Sequence, residues 1–126
     1  MTLTFALAFI YIFTKGSVAG IEVDSARGGT DGSALFTLTF VSFLSAVISW
    51  IVDIVACREL QALPFGLPYP QLHAFGWHGG TTLGLLQLFG LMLLHQHCVR
   101  DGHEATVAYA GAGLIPTVVP TGEKAS

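Results

Sequence analysis

Nineteen consecutive residues, Ala34 to Val52, carry no charged side chain before Asp53 is reached. A helix crossing the hydrocarbon core of a bilayer needs about 20 apolar residues, so this run is of spanning length. Backbone that enters lipid must satisfy its own hydrogen bonds, which leaves helices and closed barrels as the only spanning structures. Composition points the same way. Of 126 residues 52% are hydrophobic and 10% charged, against roughly a quarter charged in a soluble domain, and the mean hydropathy is +0.67. The net charge of −3 and the lack of a basic run argue against nucleic acid as a partner. The expected fold class is all-α, with two full transmembrane spans, one short or partial N-terminal span and a disordered C-terminal tail.

The spacing of apolar and polar stretches divides the chain at 1–15, 16–33, 34–97 and 98–126. The first apolar block, Leu3 to Phe13, is short for a span and lacks the cationic flank of a signal peptide. Lys15 and Gly16 are expected to end it. The stretch to Ser33, with Asp24, Gly28, Gly29, Asp31 and Gly32, reads as a polar glycine-rich loop. The second block runs from Ala34 to about Ala56, and its Thr37, Thr39, Ser42, Ser45 and Ser49 can bond backbone carbonyls or a neighbouring helix. Pro64, Pro68 and Pro70 predict an extended connector over Arg58 to Gln71. The third block starts near Leu72 and ends near His95 or His97, with Gly79, Gly80, Gly84 and Gly90 inside it. Beyond Val99 no amphipathic period is visible, and disorder is expected. Cys57 and Cys98 flank this block at opposite ends, about 36 Å apart by helical rise, which is too far for a disulfide.

With three spans, Lys15, Arg27, Arg100 and Lys124 fall on one side and Arg58 alone on the other. The positive-inside rule then puts the C-terminal tail in the cytosol.

Two histidines, His73 and His78, open the third apolar block. An imidazole in hydrocarbon must be paired, wetted or bound to something, and is read first as a functional site. Imidazole is also the commonest metal-ligand side chain, and zinc accepts it in hydrolytic centres. Asp53, ending the second block, would lie at a similar depth and could orient a ligand histidine; equally, it could mark the interfacial end of its helix. His95, His97 and His103 lie some 33 Å further along by helical rise, and read as interfacial or solvated. Bis-histidine haem binding needs histidines at matching depth on two helices, and only the third block offers them. Trp50, Tyr69, Phe75 and Trp77 read as an interfacial aromatic belt or as walls of a lipid pocket.

The run from Trp50 to Cys57 has the form W-x-x-D-x-x-x-C. Gln71-Leu72-His73-Ala74 follows after a proline-bearing connector, and then Trp77-His78-Gly79-Gly80-Thr81-Thr82-Leu83-Gly84. These blocks, in this order, resemble the last two spans of the alkaline ceramidases, seven-span membrane hydrolases related to the adiponectin-type receptors. The resemblance covers about Phe40 to His95. It implies a catalytic zinc held by His73 and His78 together with a third histidine from an earlier helix. It further implies activation of a water for attack on the ceramide amide, releasing sphingosine and a fatty acid. Membrane ceramide is the implied substrate, and the endoplasmic reticulum or Golgi the implied location.

Two departures stand beside that resemblance. The family spacing is H-x3-H, whereas this chain has H-x4-H. In a regular α-helix five residues turn the second imidazole about 140° from the first. An i→i+5 π turn would absorb the extra residue, with Gly76 easing the distortion; alternatively His73 reaches in from the connector. Secondly, no histidine precedes Asp53, and the family's acidic calcium-binding segment has no counterpart here. The expectation is therefore a ceramidase-like C-terminal portion that supplies two zinc ligands of three. The other class of reading is a non-catalytic membrane protein acting through helix packing or partner helices.

Overall fold

The computed structural model describes residues 2–62, 64 and 72–124, without the side chains of residues 2, 72, 73 and 122–124. Helix α1 (Thr2–Arg27) is followed by α2 (Asp31–Val55) and a short α3 (Cys57–Gln61). A π-helical segment (Leu72–Gly79) then runs directly into α4 (Gly80–His95) and a closing π turn (Gln96–Arg100). Strands β1 (His103–Ala110) and β2 (Ile115–Lys124) form one antiparallel hairpin. The fold class is all-α with this small sheet appended. Three helical stretches are long and apolar enough to cross a membrane: Leu3–Arg27, Asp31–Val55 and Ala74–Arg100. Leu3, Ile10 and Ile21 are each at least 60% exposed, as side chains that face lipid rather than a core would be. The chain divides into two compact units, residues 1–38 with 86–126, and residues 39–85.

In the first unit the N-terminal span is complete, not partial, and residues 16–33 are not a loop. Helix α1 continues through Lys15 and Gly16 to Arg27, leaving only Gly28, Gly29 and Thr30 between helices. The reason is packing. A Cβ on Gly16 would stand 3.3 Å from the Phe36 ring, and one on Gly20 would stand 3.0 Å from the carbonyl oxygen of Gly32. A Cβ on Gly32 would overlap the Gly20 carbonyl oxygen. These glycines permit backbone contact between α1 and α2, which is what small residues supply between helices in lipid. Only Gly28 acts as a turn former: at φ +70 it ends α1 in the left-handed conformation, donating its N–H to the Asp24 carbonyl at 2.8 Å.

Asp24 closes the turn. The first N–H groups of α2 have no partner within their own helix. The Asp24 carboxylate accepts from the Gly32 N–H at 2.8 Å, from the Ser33 N–H at 3.1 Å and from the Ser33 hydroxyl. Its negative charge also lies at the positive end of the α2 dipole. Arg27 pairs with Asp31 at 2.9 Å across the same turn.

The tail is likewise folded over most of its length. Gly111, Ala112 and Gly113 all have positive φ, at 58°, 60° and 83°, turning β1 into β2. Val107 and Val118 pack against a buried cluster of Val23, Leu35, Leu91, Leu94, Cys98 and Ala105. Gln87, fully buried at the middle of the third span, donates its Nε2 hydrogen to the Leu114 carbonyl at 2.9 Å. A buried side-chain amide is costly without a hydrogen-bond partner, and the carbonyl at the hairpin tip supplies one. The phenol of Tyr109 is pushed above its ordinary value, chiefly by burial and secondly by the Asp31 charge, with Arg27 opposing. Both cysteines are free thiols, Cys98 buried and Cys57 half-buried. In the connector, 57–61 is helical rather than extended; most of its proline-bearing remainder, with Tyr69, lies outside the described residues.

Asp24→Ala removes acceptors from two helix-terminal N–H groups. It is expected to lower stability by about 1 kcal/mol, within the ~0.5–2 kcal/mol range of lost helix caps. Thermal unfolding in detergent checks this, and Asp24→Asn should recover part of the loss through its remaining carbonyl oxygen.

Candidate metal centre

The second unit contains the C-terminal half of α2, the π-helical segment and the start of α4. Gly76, Gly80 and Gly84 recur every four residues and so lie along one face. Each meets α2. A Cβ on Gly76 would stand 2.6 Å from both Cβ and Oγ of Ser49. One on Gly80 would stand 3.0 Å from the Ala46 Cβ, and one on Gly84 2.8 Å from the Phe43 ring. Numbers rise along one helix as they fall along the other, so the pair is antiparallel. The Trp50 and Trp77 rings, 5.7 Å apart, extend the same register. One further turn along each helix brings the positions of Asp53 and His73 to the same level.

Of the two local geometries that H-x4-H allowed, the backbone adopts the π-helix, and its eight residues, Leu72–Gly79, contain both His73 and His78. Bonding from i to i+5 places the fifth residue roughly above the first, as i+4 does in an α-helix. The inserted residue is thereby absorbed, and the two histidine positions share a face. Gly76 sits within this segment where it closes on Ser49, so no side chain obstructs the widened turn. The Thr81 hydroxyl bonds the Trp77 carbonyl at 2.7 Å, which gives a partner to a backbone oxygen near the change from π to α pitch.

His78 is exposed, with its ring 6.5 Å from that of Trp77. Asp53 is half-buried, and its Oδ1 is closed off from solvent. The side chain of His73 lies outside the described residues. Among the described residues, no three His, Cys, Asp or Glu side chains converge as a metal site would require. Zinc in hydrolytic centres takes three protein ligands and keeps one open position. Two histidines on one turn supply part of that set, so a bound zinc requires a donor from elsewhere. Of the remaining histidines, His95 stands with its Nε2 2.6 Å from Glu22 Oε2 in the first unit.

The glycine face was legible in the spacing of Gly76, Gly80 and Gly84, but reading those residues singly as helix-weakening hides it. Compared with protein-family models, characterised proteins and solved structures, the chain matches none.

Gly76→Ala drives a methyl into Ser49. The expected cost is about 1–3 kcal/mol, the usual range for overpacking. Ser49→Gly should relieve much of it, giving a favourable coupling in a double-mutant cycle. Equal unfolding midpoints for Gly76→Ala and the unaltered chain would contradict the contact.

Proposed function

We propose that the second and third spans of this chain correspond to the last two spans of a ceramidase-like membrane hydrolase, in which His73 and His78 supply two of three zinc ligands. The observation that carries this reading is the π-helical segment, because it restores the common face that the H-x4-H spacing would otherwise destroy. The register on α2 adds to it by bringing the Asp53 position level with His73, where a carboxylate can orient an imidazole. Asp53 is a positioning residue in this reading. Zinc, when bound, would supply the Lewis acidity needed for amide hydrolysis. His73 and His78 must be neutral at their ligating nitrogens to hold it, and the flanking Trp50 and Trp77 rings would shield one side of the site from water. The third ligand would come from outside these 126 residues.

The reading extends to ceramide as substrate, whose acyl tails remain in the bilayer beside an intramembrane site. A cytosolic tail rests on Arg27, Arg100 and Lys124 against Arg58, since Lys15 falls inside a span rather than in a loop. Placement in the endoplasmic reticulum or Golgi rests on the resemblance alone.

The glycine face also favours a second reading, in which α2 and the third span serve close helix packing without catalysis. Zinc separates the two. The detergent-purified chain should retain zinc at well above background, and His73→Ala/His78→Ala should lose it, with no sphingosine released by the chain alone. Equal zinc in both proteins would remove the metal reading and leave the packing one.

A further inference from the structure

Lys15 is the residue that the ceramidase-like reading leaves without a role. It occupies the midpoint of the first span, twelve residues from Leu3 and twelve from Arg27. By helical rise that is about 18 Å from either end, and the half-thickness of the hydrocarbon is about 15 Å. The lysine stem shortens its path to the interface but does not cover it. Ionisable residues at such depth characteristically face a partner group or a water-filled space.

Among the described residues the compensation for Lys15 is slight. Its side chain is exposed, and its Nζ stands 5.9 Å from the centroid of the Tyr11 ring. A cation–π contact at that distance offsets only part of the lost hydration. The other charge on the same face, Glu22, is engaged by His95. Thr4, Ala8, Tyr11, Lys15, Val18 and Glu22 follow one another at intervals of three and four, and every one is exposed. They form a single stripe, whereas Leu3, Leu7, Ile10 and Ile21 form an apolar face beside it. Lys15 and Glu22 therefore share one exposed stripe, while Thr14, exposed among the apolar residues, returns its hydroxyl to the Ile10 carbonyl at 2.7 Å.

We propose that this face of α1 docks a second membrane helix presenting a carboxylate at the depth of Lys15. The proposal is independent of any chemistry at His73 and His78. A second copy of the chain does not fit. Two-fold pairing of parallel α1 helices along this stripe would set each Lys15 against its own counterpart, and like charges repel most strongly where the dielectric is low. A helix carrying Asp or Glu at mid-depth satisfies the lysine directly, and Tyr11 and Thr4 can donate further hydrogen bonds across the contact.

The test uses the full chain, fluorescently labelled, in zwitterionic vesicles with a synthetic spanning peptide of about 20 residues. The peptide is leucine-rich and carries Glu, Gln or Leu at its centre. The Glu peptide is expected to associate about tenfold more tightly than the Leu peptide, with the Gln peptide weaker than Glu. Lys15→Leu should erase the difference. Lys15→Glu should reverse it, so that a peptide with central Lys is preferred, which also shows that the variant still folds and inserts. Equal association of all three peptides would overturn the proposal. So would self-association of the chain that Lys15→Leu abolishes, since the occupant would then be a second copy. Rapid modification of Lys15 by a membrane-impermeant amine reagent would overturn it as well, by placing the residue in water.

Discussion

The first unit depends on one contact, the Asp24 carboxylate bonded to the opening N–H groups of α2 where Gly20 and Gly32 bring two backbones together. A three-residue turn between long helices leaves donors at the start of the second helix with nothing in their own chain segment to bond. In hydrocarbon or at its edge, leaving them unsatisfied costs more than in water. Asp24 removes that cost from a position in α1, so the cap also fixes the approach of the two helices. Any side chain at Gly32 would separate them and withdraw the carboxylate. The buried cluster around Val23, Leu35, Leu91 and Leu94 then assembles on a scaffold already set.

The same principle recurs at the far end of the unit. Gln87 is a buried amide at mid-span that would be costly unpaired, and the Leu114 carbonyl is a turn oxygen with no strand partner. Each satisfies the other. Pro116 and Pro120 alternate along β2 and pair with Tyr109 and Ala105. Having no N–H, they reduce the donors that strand can offer on its outer edge, a common protection against strand addition.

How far these features could be read from sequence depended on whether their cause was local. The second span was legible because the absence of charge from Ala34 to Val52 is a property of the segment itself. The first reads as ending at Lys15 and Gly16 because glycine and a charge are local stop signals. What overrides them, contact with Phe36 and Gly32, lies elsewhere in the chain. The hairpin is hidden from a local reading for the same reason, since its anchor joins residues 27 positions apart. Gly111 and Gly113 around a turn, flanked by Thr106-Val107 and Thr117-Val118-Val119, were the local signal available.

At the candidate site the spacing of His73 and His78 was itself the informative anomaly. Five residues cannot close a turn of α-helix, and the π-helical backbone is the local solution. The remaining ligand is not legible, because no third donor follows from the pattern around these two. The account therefore rests on the claim that helical register is what joins the two histidines. Zinc retention in register variants tests that claim most directly. Deleting the exposed Phe75 gives H-x3-H, which an ordinary α turn holds on one face, and zinc should be kept. Inserting one alanine after Phe75 gives H-x5-H, and zinc should fall to the level of the double-alanine variant. Zinc retained in the insertion variant, or lost in the deletion variant, would contradict the account.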